Sequence, residues 1–282
     1  MSERGFKAAC LQLSPGNDLA RNLAAIAGLV ARAAADGAAL VALPEFATYL
    51  DRSSSSMRAS SSTEADSEAL STLRAMAPQH GVWMLIGSLV IRPDGDCEGR
   101  LVNRSLLVTP QGTVAARYDK IHLFDARLPD GRTVGESRQY RGGDRAVVVQ
   151  TPLGRIGMSV CYDVRFPQLY RKLAMAGAEI LTIPAAFTAQ TGKAHWETLL
   201  RARAIENGCY VLAPATVGTH PGDWHTHGHA MIIDPWGRIL GSCQSEENAI
   251  CASYIRLSEC GKARAQITSL STNPDYHLDL IS

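Results

Sequence analysis

The sequence predicts an α/β fold in which two mixed β-sheets pack together beneath outer helices. Three observations carry that expectation. Short apolar runs alternate with amphipathic helical segments in both halves of the chain, strand pairs flank tight-turn signals, and no linker separates the halves. With 282 residues, 46% hydrophobic and 20% charged, the chain has a globular composition and length enough for a large core. One domain is expected over residues 1–282, with residues 256–282 as a C-terminal helix and tail.

Residues 6–13 read as a buried strand. Asn17 or Asp18 then caps an alanine-rich helix over residues 19–35, whose apolar face carries Leu23, Ile26, Val30 and Ala33. Gly37 ends it, and residues 38–43 (AALVAL) form a second buried strand, so parallel pairing is expected. Residues 53–62 are serine-rich and read as a loop, followed by a helix over 64–79 and a strand over 82–90. Residues 106–118 read as a hairpin turning at Pro110-Gln111-Gly112, and 147–161 as another turning at Pro152-Leu153-Gly154. Between them lies a long polar stretch, 125–145, read as a loop of a length that in a compact domain is usually functional or disordered. The second half continues with helix 167–175, strand 179–184, helix 194–206 and strand 209–213. Strands 230–233 and 238–242 are joined by Asp234-Pro235-Trp236-Gly237, and 249–255 supplies a last one.

A formal net charge of +1 without a lysine–arginine cluster gives no footprint for nucleic acid. Residues 1–9 are too polar for a signal peptide, and no run of about 18 apolar residues marks a membrane span. A cytoplasmic location is therefore expected, with no membrane partner and with the seven cysteines as free thiols. None of them forms a Cys-x-x-Cys pair.

Three reactive residues stand where buried strands stop: Glu45 after AALVALP, Lys120 after TVAARYD and Cys161 after RIGMSV. Ligands of α/β sheets lie beyond the carboxyl ends of strands. Taken singly, a solvated glutamate, a loop lysine and a packed cysteine are the dull explanations. Taken together they are the parts that amide cleavage by a thiol needs. A thiol requires a base or a positive neighbour, which Glu45 supplies by taking its proton. The oxyanion built by thiolate attack requires fixed donors, which Lys120 and the backbone N–H of Tyr162 supply. Glu45 then protonates the leaving amine and activates the water that hydrolyses the thioester.

The segments Leu43-Pro44-Glu45-Phe46, Tyr118-Asp119-Lys120-Ile121-His122-Leu123-Phe124-Asp125 and Val160-Cys161-Tyr162-Asp163-Val164-Arg165-Phe166-Pro167 resemble the three signature motifs of the nitrilase superfamily, the carbon–nitrogen hydrolases. The resemblance extends from Lys7 to about Ile255, in the family's order and spacing. It implies a four-layer α-β-β-α sandwich, a homodimer or higher homo-oligomer, no cofactor and no metal. It also implies Glu45 as general base, Lys120 as oxyanion stabiliser, Cys161 as nucleophile, and Glu136 in Gly135-Glu136-Ser137 as a second glutamate that orients the lysine. Ala186-Phe187-Thr188, Thr191-Gly192, Ala194-His195-Trp196-Glu197, the run from Arg201 to Glu206, His229 and Asp234-Pro235-Trp236-Gly237 are similar to the Nit branch. That branch holds omega-amidases and deaminated glutathione amidases. The expected reaction is hydrolysis of a small carboxylate-bearing amide with release of ammonia. The serine-rich run and Trp224-His225-Thr226-His227 depart from the family pattern, which leaves the substrate open.

Arg165 is read either as a partner for a substrate carboxylate or as a partner of Asp163, and Tyr49, Phe187 and Thr188 as pocket walls. Arg201 and Arg203 point to different helix faces, at least one pairing with Glu197 or Glu206. His225, His227 and His229 invite a metal-dependent amidohydrolase as a rival; a polar loop running into strand 230–233 is the simpler reading. An N-carbamoyl amidohydrolase and a nitrilase are rivals within the same superfamily, and a non-catalytic ligand-binding member is a third. Asn103-Arg104-Ser105 matches a glycosylation pattern that a cytoplasmic protein does not use.

Overall fold

A computed structural model describes residues 5–95, 99–127, 131, 133–272 and 277–281. In chain order the first half contains β1 (Gly5–Leu13), α1 (Leu19–Ala35), β2 (Ala38–Ala42), α2 (Ser54–Ala59), α3 (Glu68–His80), β3 (Trp83–Ile91), β4 (Val102–Val108), β5 (Val114–Asp119), β6 (Asp125–Arg127) and β7 (Thr133–Gly135). The second contains β8 (Val147–Thr151), β9 (Gly154–Met158), α4 (Pro167–Met175), β10 (Ile180–Thr182), α5 (Ala189–Asn207), β11 (Tyr210–Ala213), β12 (Ala215–His220), β13 (Trp224–His227), β14 (Met231–Ile233), β15 (Ile239–Ser242), β16 (Ala249–Arg256) and α6 (Ser258–Gln266).

Strands covered on both faces must be apolar throughout, and β1 shows why its sequence is one apolar run. Ala8 and Cys10 face the core shared with the second sheet, whereas Ala9, Leu11 and Leu13 face the core under α1 and α3. The first sheet runs β13-β12-β1-β2-β3-β4-β5, with β16 also pairing β1; the second runs β15-β14-β11-β10-β9-β8. Parallel pairings of β1–β2–β3 and β9–β10–β11 combine with antiparallel hairpins, so both sheets are mixed. Helices α4 and α5 pack on the outer side of the second sheet, completing an α-β-β-α sandwich.

The structure departs from the sequence reading in five places. The serine-rich segment holds a helix, α2, because Ser53 caps it by accepting from Ser56 N and Met57 buries its one apolar side chain. Helix α3 starts at Glu68, later than expected, because Ser67 is its cap; Glu64 instead pairs with Arg104 and Arg117. Helix α5 begins at Ala189, five residues earlier than its periodicity indicated. The polar stretch is not structureless: β6 and β7 pair in it and deliver Glu136 on a short 3₁₀ turn. Finally, residues 215–227 form the unforeseen hairpin β12–β13, so His225 and His227 lie on a strand rather than in a loop.

One glycine fixes the strand end that matters most. A Cβ on Gly87 of β3 would sit 2.0 Å from the Leu43 carbonyl oxygen and 2.4 Å from that of Pro44, both backbone atoms. Only glycine lets β3 press against the segment leading into Glu45. Gly87→Ala is expected to cost about 3 kcal/mol or more of unfolding free energy, the upper range for overpacking against immobile atoms. Urea denaturation of the purified variant measures it, and an unchanged midpoint contradicts the contact.

Candidate active site

Glu45, Lys120 and Cys161 converge from three strand ends. Glu45 follows β2, Lys120 follows β5 and Cys161 opens a 3₁₀ turn (Cys161–Arg165) just past β9. Glu45 and Lys120 are each 2% exposed, so their charges must be met by neighbours rather than water. Lys120 Nζ donates to Glu45 Oε1 at 3.1 Å and to Glu136 at 2.8 and 3.1 Å. Glu45 Oε1 also accepts from Asn103 Nδ2 at 2.8 Å, and Oε2 from the Ala186 N–H at 2.8 Å. Glu136 Oε2 is held in turn by the Phe124 N–H at 2.6 Å.

Burial opposes the Lys120 charge, but the Glu136 and Glu45 carboxylates outweigh it and hold the ammonium well above its ordinary pKa. Cys161 moves the other way in chemical consequence. Burial, then the Glu45 carboxylate, push its thiol well above the usual range against the pull of Lys120. The resting site therefore holds a protonated thiol facing a carboxylate, beside a fixed cation.

The backbone is strained where it presents these groups. Cys161 sits at φ 48° and Phe46, next to Glu45, at φ 56°, left-handed values that non-glycine residues avoid unless their surroundings enforce them. Cys161 N donates to Pro184 O at 2.9 Å, Phe46 N to Ser88 Oγ at 3.3 Å, and Thr216 Oγ1 to Glu45 O at 2.9 Å. In the turn that Cys161 opens, the N–H groups of Cys161 and Asp163 go to Pro184 O and Val160 O. The Tyr162 N–H stands between them at the start of the turn, where helical ladders leave donors unused.

Asp163, fully buried, ties the Lys120 loop to the Cys161 turn. Its Oδ2 accepts from Tyr118 Oη at 2.7 Å and Val160 N at 2.9 Å; its Oδ1 meets His122 N at 3.0 Å and His122 Nδ1 at 2.7 Å. The His122 ring in turn stacks on Phe166, 3.6 Å between centroids. Asp163 is thus occupied and is not the partner of Arg165. Arg165 reaches His195 Nδ1 at 3.3 Å and lies over the Phe187 ring at 5.0 Å. Arg203 braces the same turn by donating to Val164 O at 2.9 Å while pairing with Glu206; Arg201 pairs with Glu197.

A cavity of about 880 Å³ opens over Cys161, Glu45, Lys120 and Glu136. Of the four residues read as pocket walls or substrate contacts, Thr188 lines it. Tyr49, Arg165 and Phe187 do not: Tyr49 bonds Ser56 Oγ, and Phe187 packs on Trp196. Tyr140, absent from the sequence reading, lines it instead. Burial and then Glu136 push its hydroxyl up while Lys120 and Arg58 pull it down. Asn103 was missed as well. It is 1% exposed, touches both glutamates, and its Oδ1 is buried without a partner, so its place is explained by what its amide donates. An asparagine inside a strand-forming run, a depleted position, was the available signal. His225 pairs with Asp223 and Thr219, while the His227 and His229 rings stack 4.2 Å apart. Burial and then His229 lower His227 to a pKa of about 4. Among the described residues no three His, Cys, Asp or Glu side chains are grouped to hold a metal ion.

Replacing Asp163 by alanine strands the Tyr118 hydroxyl and the Val160 and His122 N–H groups in the interior. The expected cost is about 3–5 kcal/mol, read from urea unfolding; a loss below about 1 kcal/mol contradicts the bracing role.

The sequence model of the carbon–nitrogen hydrolases matches residues 7–265. A deaminated glutathione amidase from Synechocystis sp. is 42% identical over 267 residues, covering 94% of this chain and 97% of that protein. The crystal structure of the C. elegans NitFhit protein superposes with a TM-score of 0.87 at 34% identity, over 97% of this chain and 66% of that one. A mutant of the amidase from Nesterenkonia sp. AN1, showing Michael addition of acrylamide at its active site cysteine, superposes with a TM-score of 0.76 at 26% identity, over 93% and 98%.

Proposed function

The chain belongs to the carbon–nitrogen hydrolase family and is an amidase, and from that premise we propose that Cys161 is its nucleophile, with the roles of Glu45, Lys120 and Glu136 following from their positions. The observation that carries this reading is the convergence of Glu45, Lys120 and Cys161 from three strand ends on one cavity, with the buried Lys120 ammonium held by Glu45 and Glu136. Glu45 takes the thiol proton as Sγ bonds to the amide carbon. The oxyanion is met by the Lys120 ammonium and the Tyr162 N–H. Glu45 passes the proton to the leaving nitrogen, the carbon–nitrogen bond breaks, ammonia or an amine departs and a thioester remains. A water then gives a proton to Glu45 and its oxygen to the acyl carbon; the carbon–sulfur bond breaks and the thiol regains its proton. Glu136 keeps Lys120 in place throughout.

The substrate proposed is a small carboxylate-bearing amide of the omega-amide type, which releases ammonia, or of the deaminated glutathione type, whose substituted nitrogen leaves as an amine, in line with the Synechocystis relative. The protein is proposed to act in the cytoplasm; no helix among the described residues is long and apolar enough to cross a membrane. It is proposed to form a homodimer or higher homo-oligomer. Ile205, Trp236 and Ile267, each about half exposed, rim an apolar groove between α5 and α6 of the kind that isolated chains seldom leave open.

Intact-protein mass spectrometry with an amide panel tests the chemistry: an acyl mass shift is expected on Cys161 and none on Cys161→Ala. Glu45→Gln is expected to lower kcat by about 10²–10⁴-fold, the range for a lost general acid–base. Turnover that survives Cys161→Ala but ends with a chelator would put the histidine strand at the centre instead. Light scattering after gel filtration is expected to give at least the mass of two chains, and Ile205→Asp with Trp236→Asp to shift it to one.

A further inference from the structure

The mouth of the active-site cavity holds three arginines that no part of the described chain neutralises. Arg52, Arg58 and Arg138 come from separate places: the loop before α2, α2 itself, and the 3₁₀ turn that carries Glu136. All three are exposed, and none forms an ion pair with a carboxylate among the described residues. Their contacts to protein are to backbone. Arg52 Nη1 reaches the Gly222 carbonyl at 3.4 Å and Arg58 Nη1 donates to the Gly99 carbonyl at 2.6 Å. Arg138 folds back over Gly135, where a Cβ would stand 3.2 Å from its Nε. Each contact steadies the arm and leaves most of the guanidinium fork unused.

Asp51, the remaining acid of the lining, forms no ion pair with any of the three arginines and leaves them in excess. Its carboxylate accepts from the Ser53 N–H, Asn17 and Ser56, all uncharged donors. The inner end of the cavity adds a second argument. Two carboxylates, Glu45 and Glu136, share the single Lys120 ammonium there, so acidic side chains outnumber the basic one at the reacting centre. A ligand carrying carboxylates would be repelled there unless positive charge elsewhere in the cavity meets it. Guanidinium forks match carboxylates in shape as well as sign.

We infer that Arg52, Arg58 and Arg138 form an anion subsite that selects amides whose acyl chain ends in a carboxylate remote from the scissile carboxamide. This rests on the amidase reading for what happens at Cys161 and extends it to how the other end of the substrate is held. The substrate class is an elongated acidic amide, carboxamide inward and carboxylate at the rim. The serine-rich helix, with Ser54 and Ser55 also in the lining, is then part of the recognition surface.

The test uses a matched pair of linear acyl amides, one ending in a carboxylate and the other in its methyl ester. Binding is measured by calorimetry to the full-length Cys161→Ala protein, which holds either amide uncleaved. The acid is expected to bind about tenfold more tightly than the ester or better, the order of one charge-assisted bidentate contact. That ratio is expected to fall towards one in Cys161→Ala carrying Arg58→Gln and Arg138→Gln, with an unchanged melting temperature because both side chains are exposed. Equal affinities for acid and ester overturn the subsite, and so does a ratio indifferent to the two arginines. The thioester mass shift in the protein with Cys161 intact is read in parallel. If neither amide produces it while the affinity ratio holds, the amidase reading fails and the anion subsite stands.

Discussion

The bottom of the cavity depends on one buried ammonium being neutralised from two sides. Lys120 is taken out of water, and an unpaired cation there would cost more than a small domain has to spare. Glu45 and Glu136 both reach it, and neither is local in sequence. Glu45 arrives on the parallel core of the first sheet, Glu136 on a hairpin of the polar stretch. Correct folding of both is therefore a condition for burying Lys120 at all. The same pairing sets the chemistry: because Lys120 is engaged by carboxylates, Glu45 is placed beside the Cys161 thiol and raises its proton affinity instead of releasing a free thiolate. In the proposed mechanism the Cys161 thiol therefore gives up its proton during attack and is not stored as a thiolate.

Rigid surroundings hold the strained residues that this demands. Left-handed backbone at Phe46 and Cys161 persists because β3, β12 and the chain after β10 each supply a bond to the strand ends, through Ser88, Thr216 and Pro184. Asp163 links the Lys120 loop to the Cys161 turn with no exposure to solvent. The result is a first ring of reactive groups fixed by a second ring of buried hydrogen bonds, which is the arrangement electrostatic catalysis needs.

Much of this was legible in the sequence for a physical reason. The bounds of α1 follow from its cap Asp18 and 3.6-residue periodicity, the start of α4 from Pro167 in its first turn, and buried strands betray themselves as apolar runs; Glu45, Lys120 and Cys161 stand out because they follow such runs. What was not legible depends on contacts between distant segments. Helix α2 exists because Ser53 caps it and Met57 finds a cluster with Phe46 and Tyr140. The β12–β13 hairpin is polar and glycine-containing, and becomes sheet only by joining β1. Asn103 carried a surface-glycosylation pattern, whereas the fold turned it between two glutamates. Arg165 lies close in sequence to the nucleophile, yet its side chain runs to His195 on α5, so nearness along the chain misled where the walls of the cavity were concerned.

Chemistry and recognition are divided along a gradient of burial. The reacting groups sit at strand ends, where backbone hydrogen bonds restrict them, and they are nearly identical in what they ask of any amide. The rim is built from a short helix, a hairpin and connecting loops, whose side chains are free to differ without disturbing the core. Charge follows the same division: the inner carboxylates outnumber the single ammonium, and the arginines lie outside it. An acidic substrate is therefore drawn to the rim first and is oriented by repulsion from the inner glutamates, which leaves its neutral carboxamide as the end that can approach Cys161. Screening by water weakens the outer half of that field and hardly touches the inner half. The orientation of the substrate thus follows from the charge separation itself, without requiring a specific contact at every atom along the acyl chain.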